Sequence, residues 1–285
     1  KVSPANLDDL TSVFAAKDIL PQISQHQVGN HVLRCVIENN MTDNLRASLW
    51  NHWDTLSFDK YGNLCIQKFI SKITAEDLEI HAHELPQRGT LGVYDCLMTQ
   101  LATHHFANHV LQSYVDQAVY HNNAQTVVII VEAMKKDFFE LATDQFGSFV
   151  VCTALTAFGD ASSPLVDVCV QGSNIYKIAS TQYGCQLLQK WTNVASEIQF
   201  KRISIALSSC FAAVSRDKFG NHFCLKMLSS RAASVLNRQE GMKGLSQLIM
   251  NVATLAEHEC ATHVVQRILE LQVWLQLSDD TRTNI

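Results

Sequence analysis

A short phrase built around Gly or Ala recurs seven times in this 285-residue chain, and it constrains the fold more than any other feature. We call the Gly or Ala of each copy the anchor, and the anchors stand at positions 29, 62, 107, 147, 184, 220 and 261. The spacing between anchors varies from 33 to 45 residues, which is the length of a helical repeat unit with loop insertions. The copies are QVGNHVLR (27–34), KYGNLCIQ (60–67), HFANHVLQ (105–112), QFGSFVVC (145–152), QYGCQLLQ (182–189), KFGNHFCL (218–225) and ECATHVVQ (259–266).

The residues that follow each anchor show the pattern of an amphipathic helix. The third and fourth residues after the anchor are apolar in all seven copies, as Cys65 and Ile66 illustrate. At about 100° per residue, this pair predicts the buried side of a helix. The first, second and fifth residues lie on the other side of the helix, so we expect them to face outward. These positions are called columns below, numbered from the residue after the anchor.

Further helical patterns flank each copy. A long pattern precedes the anchor, for example VVIIVEAMKKDFFELATDQ or FKRISIALSSCFAAVSRDK. A shorter one follows it, such as TAEDLEIHAHEL, in which the spacing of Thr74 and Asp77 resembles a capping box. Alternating strand patterns are scarce. The sequence therefore predicts an all-α protein with about three helices in each repeat.

The repeats resemble those of the Pumilio (PUF) family, in which an aromatic residue, Gly and Asn are followed by apolar residues and Gln. KYGNLCIQ and HFANHVLQ are the nearest matches, and QYGCQLLQ and QFGSFVVC are variants. The resemblance spans residues 10–285 and predicts one repeat domain over 1–285, with cores near 27–37, 60–70, 105–115, 145–155, 182–192, 218–228 and 259–269. The family has about eight repeats, so an eighth is lost, precedes Lys1 or has diverged beyond detection.

The resemblance implies a right-handed α-solenoid crescent whose concave face binds single-stranded RNA, one base per repeat. It also implies no cofactor, no bound metal and a monomeric protein. In the family the first and fifth columns hydrogen-bond the base edge, and the strand runs antiparallel to the repeats. The corresponding residues are Asn30, Arg34, Asn63, Gln67, Asn108, Gln112, Ser148, Cys152, Cys185, Gln189, Asn221, Thr262 and Gln266.

The family also relates residue pairs to bases. Asn with Gln favours uracil and Cys or Ser with Gln favours adenine, whereas the guanine pair of Ser with Glu is absent from every copy. The pair Asn30 and Arg34 fits no simple rule, and Leu225 cannot hydrogen-bond beside Asn221. The resemblance thus implies an A/U-rich site with two positions left unassigned.

The second column is the one that stacks on bases in the family. It consists of His31, Leu64, His109, Phe149, Gln186, His222 and His263. The four histidines and Phe149 are flat enough to stack, at about 1–3 kcal/mol per base for aromatic side chains. We expect Leu64 and Gln186 to stack poorly, and Lys68 to contact a phosphate.

Charge and cysteine content bear on which other classes of protein the sequence can belong to. The net charge of −5 argues against a generic nucleic-acid binder, although basic residues outnumber acidic ones in the twelve-residue windows around the anchors. Nine cysteines without CxxC pairs are typical of small buried side chains in a reducing compartment. His81, His83 and Glu84 form a cluster that we expect to be solvated rather than metal-bound.

No membrane span or secretory signal is visible, and a chain that begins at Lys1 is expected to be a fragment. The motifs HExxH, GxSxG, GxGxxG and the P-loop are missing, so no enzyme is predicted. The favoured hypothesis is a cytoplasmic protein that binds A/U-rich sites in mRNA and regulates it after transcription, with a possible protein effector on the convex face. Two alternatives stay open: a divergent nucleolar relative that acts in ribosomal RNA processing, and an α-solenoid scaffold that binds proteins.

Overall fold

The computed structural model describes residues 11–14, 19–87, 96–228 and 252–270, apart from the side chains at 252, 253 and 269. Within these ranges the regular elements are helices and no strand occurs, as the all-α prediction requires. The helices are α1 (Ile19–Gln25), α2 (Gly29–Asn39), α3 (Asp43–Asn51), α4 (Trp53–Ser57), α5 (Gly62–Ile70), α6 (Ala75–Ala82), α7 (Leu97–Ala102), α8 (Asn108–Tyr120), α9 (Ala124–Lys136), α10 (Phe138–Thr143), α11 (Gly147–Phe158), α12 (Ser163–Val170), α13 (Asn174–Ala179), α14 (Gln182–Val194), α15 (Glu197–Ser208), α16 (Phe211–Arg216), α17 (Gly220–Met227), α18 (Val252–Ala256) and α19 (Thr262–Glu270).

Each of the first five copies consists of a short helix, an anchor helix and a third helix. In the first copy these are α1, α2 and α3, and the anchor helix begins at Gly29. The sixth and seventh copies show the short helix and the anchor helix, and the residues after them lie outside the described ranges. The prediction of about three helices per repeat is confirmed for the first five copies. Thr74 caps α6 as expected, because its Oγ1 accepts the Asp77 backbone N–H at 3.1 Å.

The chain divides into two compact units, Lys1–Met134 and Lys135–Ile285. In the first unit the anchor helices α2, α5 and α8 pack side by side in chain order. In the second unit α11, α14, α17 and α19 do the same. Each anchor helix also packs against the short helix before it, so both units are built from the same kind of contact.

The third and fourth columns form the buried seam of the anchor helices. Thirteen of these fourteen side chains are buried, and Val32 is the exception at 48 % exposure. The expectation of burial is therefore wrong for Val32. The third column faces the preceding anchor helix, as shown by the thiol of Cys65, which lies 3.7 Å from the carbonyl oxygen of Asn30. Among the described residues no anchor helix precedes α2, so Val32 lacks the kind of neighbour that Cys65 has in α2.

Two long helical patterns that precede anchors are each split in the structure. One breaks between α9 and α10 at Asp137 (φ −117°, ψ 30°), and the other breaks between α15 and α16 at Cys210 (φ −129°, ψ 13°). Each of these patterns therefore contains two helices. The breaks redirect the chain, so that α10 packs against α11 and α16 packs against α17.

The stretch 147–170 is long and apolar enough to cross a membrane by length and composition. It bends at Gly159, where φ is 52°, and runs through a 3₁₀ turn before α12 begins. Val150, Val151 and Val166 within it are completely buried in the protein. These side chains thus belong to the core of a repeat unit.

The nine cysteines are free thiols, and five of them are buried. Burial raises the pKa of Cys65 and of Cys169 to about 12, so these thiols stay protonated near neutral pH. In the predicted cluster of His81, His83 and Glu84, His83 is exposed as expected, whereas His81 is half-buried because its ring stacks on Trp50 with 3.2 Å between centroids. Its Nδ1 lies 3.3 Å from Glu84 Oε1, and no metal-binding group of residues occurs in the described ranges.

Candidate nucleic-acid interface

A turn capped by a side chain leads into six of the seven anchor helices. In the second copy, Asp59 Oδ1 accepts the backbone N–H groups of Tyr61 at 2.8 Å and Gly62 at 2.7 Å. Asp144 and Asp217 accept the equivalent pairs in their own copies. The sequence analysis missed this position, although an acidic residue three places before the anchor in three copies is a visible signal. The turn places the first column at the start of the helix.

Other residue types cap the same turn elsewhere. Thr181 Oγ1 accepts the Gly184 N–H at 3.1 Å. His26 and His104 use their ring Nδ1, which fixes the acceptor tautomer in both rings. In the seventh copy the buried Nδ1 of His258 has no hydrogen-bond partner among the described residues.

Glycine anchors occur because the chain passes very close to the preceding short helix. A Cβ at Gly62 would lie 2.8 Å from the carbonyl oxygen of Leu56, and a Cβ at Gly184 would lie 2.3 Å from that of Ile178. Ala107 carries a Cβ at this place, and its N–H lies 3.3 Å from His104 Nδ1, farther than the 2.7 Å between Gly62 N and Asp59. The alanine anchor thus accompanies a looser turn.

The first column lies inside the turn rather than on the outer surface. Asn63 Nδ2 donates to the carbonyl oxygens of Asp59 at 2.8 Å and Lys60 at 2.9 Å. Because both partners are acceptors, they identify this atom as the amide nitrogen. The same two bonds recur in the other asparagine copies, at Asn30, Asn108 and Asn221.

The prediction that the first column faces outward is wrong for six of the seven copies. Their side chains are at most 7 % exposed, and they are Asn30, Asn63, Asn108, Ser148, Cys185 and Asn221. Ser148 Oγ donates to the Gln145 carbonyl at 3.3 Å, and Cys185 Sγ to the Phe219 carbonyl at 2.9 Å. Thr262 is exposed, as predicted. A helical wheel gives the direction of a side chain but omits the turn, whose carbonyls draw these groups inward.

The fifth column is half-buried in six copies and exposed at Gln266, and in three copies it is hydrogen-bonded to the first column. Gln67 Nε2 donates to Asn63 Oδ1 at 2.8 Å, and Gln112 Nε2 donates to Asn108 Oδ1 at 3.0 Å. Gln189 Nε2 reaches Cys185 Sγ at 3.1 Å. The Asn or Cys therefore orients the amide plane of the Gln. Gln67 retains its Oε1 and its second Nε2 hydrogen for another partner.

The other four copies do not form such a pair. In the first copy, Arg34 Nη2 donates to His31 Nδ1 at 2.8 Å, while Arg34 Nε and Asn30 Oδ1 are buried without a partner. In the seventh copy, Gln266 Nε2 donates to Glu270 instead of Thr262, at 3.1 Å. In the sixth copy Leu225 has no polar atom to donate. Cys152 of the fourth copy is half-buried, and burial raises the pKa of its thiol.

The second column faces outward, as predicted. Six of its residues are exposed and Leu64 is half-buried; the exposed ones are His31, His109, Phe149, Gln186, His222 and His263. The expected phosphate contact Lys68 is ion-paired with Glu38, which also binds Lys72. The second and fifth columns together form the accessible part of each anchor helix. Stacking and base-edge contacts by these residues stay predictions.

These features define a class: an all-α repeat protein whose units present an anchor helix with two accessible columns. The model of the Pumilio-family RNA binding repeat matches residues 20–51, 52–80, 98–113, 137–151, 174–203 and 251–271, about half of the chain. The chain therefore belongs to the Pumilio family. The copy at 218–225 is outside the matched residues, yet Asp217, Gly220 and Asn221 form the same turn there.

Known proteins of the family are similar over most of the chain. Pumilio homolog 9 of Arabidopsis thaliana is 23% identical over 274 residues, which cover 94% of this chain and 45% of that protein. The suppressor protein MPT5 of Saccharomyces cerevisiae is 22% identical over 222 residues, covering 75% of this chain and 24% of MPT5. The chain thus spans less than half the length of these relatives.

Solved structures show the same fold. The RNA-binding domain of yeast Puf5p bound to MFA2 RNA has a TM-score of 0.71 at 19% identity, covering 92% of this chain and 72% of that one. The Puf4 RNA-binding domain bound to a recognition sequence of HO endonuclease RNA has a TM-score of 0.72 at 17% identity, covering 93% of this chain and 77% of that one. The likeness to these PUF domains identifies the fold as an all-α repeat fold.

Proposed function

We propose that this chain binds single-stranded RNA with sequence selectivity, one base per repeat, through the second and fifth columns of the anchor helices. The observation that carries the proposal is the recurring pair in which a turn-bound first-column residue holds a fifth-column Gln, as Asn63 holds Gln67. Helix packing alone needs no such pair at the accessible surface. Membership of the Pumilio family and similarity to RNA-bound PUF domains support the proposal.

In this mechanism the fifth-column side chain hydrogen-bonds to the base edge, and the first-column side chain holds it in position. The edge of uracil presents N3–H between two carbonyl oxygens. Gln67 Oε1 accepts from N3–H, and the free Nε2 hydrogen donates to a neighbouring carbonyl. Asn63 takes no direct part, because its Nδ2 is committed to the turn and its Oδ1 to Gln67. In the third copy Asn108 holds Gln112 through the same kind of bond.

In the fifth copy, Gln189 reads adenine. A Gln amide also complements the adenine edge, which presents N6–H as a donor and N1 as an acceptor. The choice between adenine and uracil then depends on the first column, where Cys185 is smaller than Asn and leaves room for a purine. Phe149 and the exposed histidines of the second column stack on the bases.

The phosphate contribution to binding is small in this proposal. Lys68 is engaged by Glu38, Arg267 lies 3.4 Å from Glu270, and the net charge is −5. Binding therefore relies on stacking and edge contacts, and its salt dependence is shallow. This agrees with a protein that selects sites by sequence rather than by bulk charge.

The wider role follows from RNA selectivity. We propose that the protein acts as a cytoplasmic monomer on A/U-rich sites in mRNA, regulates transcripts after transcription through a protein effector, and neither catalyses a reaction nor requires a cofactor. Action on ribosomal RNA in the nucleolus and a protein-binding scaffold are the competing roles. The hydrogen bonds between first-column residues and fifth-column Gln favour RNA binding over a protein-binding scaffold, because binding a protein does not require them.

A selection from a random single-stranded RNA library at fixed salt tests the proposal. The expected result is an enriched motif with A or U at the positions of the second, third and fifth copies. A matched selection with the variant carrying Q67L, Q112L and Q189L should lose the preference at those three positions and keep the fold, measured by circular dichroism. The absence of any enriched motif, together with no binding to short A/U-rich RNA, would contradict the proposal.

A further inference from the structure

Lys190 reaches from the fifth copy back to the fourth. It is the sixth residue after Gly184, and its Nζ lies 4.5 Å from the centroid of the Phe149 ring. Both side chains are exposed, Phe149 by 43 %, and both belong to the second unit. Burial raises the pKa of the neighbouring Cys152 thiol, and the positive charge of Lys190 opposes that rise. The ammonium therefore lies beside the second and fifth columns of the fourth copy.

Among the described residues, no carboxylate neutralises the charge of Lys190. Basic residues stand at the same position in other copies, and two of them are ion-paired: Lys68 with Glu38 and Arg267 with Glu270. No ion pair within the described part of the chain includes Lys190. Its contact with Phe149 is a cation–π interaction, which orients an ammonium without cancelling its charge. Lys190 thus remains available to an anion.

The fourth copy also lacks a side chain that can hydrogen-bond strongly to the base edge. Cys152 stands where other copies have Gln, and a thiol is only a weak hydrogen-bond donor. Ser148 is turned inward to the Gln145 carbonyl. A nucleotide at this repeat consequently finds an aromatic face and a free cation rather than a pair of amides.

We infer that Phe149 and Lys190 form one nucleotide subsite, in which the ring stacks on a base and the ammonium binds the adjoining phosphate. The inference rests on the proposed RNA binding and deepens it. Phe149 positions Lys190 through the cation–π contact, so the two side chains act together. The fourth copy accordingly holds its nucleotide with little regard to base identity, and Lys190 supplies a phosphate contact that Lys68 does not.

The salt dependence of binding measures this contact directly. Affinity for a labelled ten-nucleotide single-stranded RNA of mixed A and U is titrated between about 50 and about 200 mM salt, the range over which phosphate contacts weaken markedly. K190Q should reduce the slope of log K against log salt by about 0.7, the value for one phosphate contact on a single strand. K190R should retain the slope. K68Q, at the same position but ion-paired with Glu38, is the matched control and should leave the slope unchanged.

A second variant tests whether Phe149 positions the Lys190 ammonium or whether the charge of Lys190 acts alone. F149L removes the aromatic face, so K190Q should change the slope less in the F149L background than in the unsubstituted protein. Binding of the unsubstituted protein with an unchanged slope in K190Q overturns this inference and leaves the proposed function intact. If the unsubstituted protein binds no RNA, both the proposed function and the inference are overturned.

Discussion

Gln67 donates its Nε2 hydrogen to Asn63 Oδ1 across 2.8 Å, and Asn63 in turn donates both of its amide hydrogens to the turn before the helix. The two residues therefore form a relay from the backbone to the accessible surface. Asn63 is 3 % exposed and Gln67 is half-buried, so only the second residue of the relay is open to a ligand. Because Asn63 positions Gln67 and only Gln67 is accessible, substitutions in the first column should affect stability, and substitutions in the fifth column should affect binding.

Replacing Asn63 with Asp tests the positioning role. The carboxylate has no hydrogen to donate and would face the carbonyl oxygens of Asp59 and Lys60, so we expect N63D to lose at least about 1–3 kcal/mol of unfolding free energy. N63S is the matched control, because Ser148 occupies this position naturally and bonds one carbonyl. It should lose about 1 kcal/mol. Urea unfolding measures both variants, and equal stability of N63D and N63S would show that the turn bonds contribute little.

Installing a Gln in the sixth copy tests the reading role. Asn221 already forms both turn bonds there, whereas Leu225 offers no polar atom to a base. L225Q should complete the relay and create a preference for uracil at the base that faces this copy. One added hydrogen bond of about 1 kcal/mol corresponds to a roughly five-fold gain. Fluorescence anisotropy with four RNAs that differ only at this base measures the gain.

The control for that experiment is L225M, which keeps the size and apolar character of leucine. It should bind all four RNAs alike. An equal gain in L225M, or no discrimination by L225Q, would show that the fifth column does not read the base. Neither substitution touches the buried seam, so both proteins should remain folded, as circular dichroism would show.

The sequence predicted the features that depend on periodicity. Apolar residues in the third and fourth columns mark the packing side of a helix, and thirteen of fourteen are buried. Val32 departs from this rule because burial requires a neighbouring anchor helix, which a single-copy pattern does not reveal. The breaks at Asp137 and Cys210 were missed for a related reason, since both flanking segments have helical periodicity and the kink depends on how the short helices pack.

The candidate site was predicted only in part, because polar side chains choose partners that a helical wheel omits. The inward turn of Asn30 and its equivalents depends on two carbonyls three and four residues earlier. The Gln–Asn bond follows from the same turn. The pairing of Lys68 with Glu38, from the preceding anchor helix, depends on the packing of α2 against α5. None of these contacts has a signature in the repeat itself.

The first copy should gain stability from a change that restores the relay. Asn30 Oδ1 is buried without a partner, and Arg34 Nε beside it is also unpaired. R34Q places the donor that Gln67 and Gln112 provide in their copies, so we expect a gain of about 0.5–1.5 kcal/mol in unfolding free energy. R34M, which has similar bulk but no donor, should show no such gain. Urea unfolding of the two variants decides the prediction, and R34Q no more stable than R34M would contradict it.

The histidine cap of the third copy should make the first unit sensitive to acid. His104 Nδ1 accepts the N–H groups of Phe106 and Ala107, and a protonated ring loses this acceptor. Burial, followed by the charge of His105, lowers the pKa of His104 below its ordinary value of 6.5. The unfolded chain therefore takes up the proton first. The contribution of His104 to stability is complete above pH 6.5 and declines as the pH falls through 6.5 towards the lower pKa of the folded state.

Replacing His104 with Asp, the residue that caps this turn in three other copies, tests the sensitivity to acid. H104D introduces the acceptor found at Asp59, Asp144 and Asp217, and a carboxylate remains ionised well below pH 6.5. Urea midpoints at pH 7.5 and pH 5.5 should fall with acid in the unsubstituted protein and fall less in H104D. His105 is the next residue on the same turn, so H105D serves as the control for added negative charge. If H104D and the unsubstituted protein lose the same stability between the two pH values, the cap does not titrate as the structure indicates.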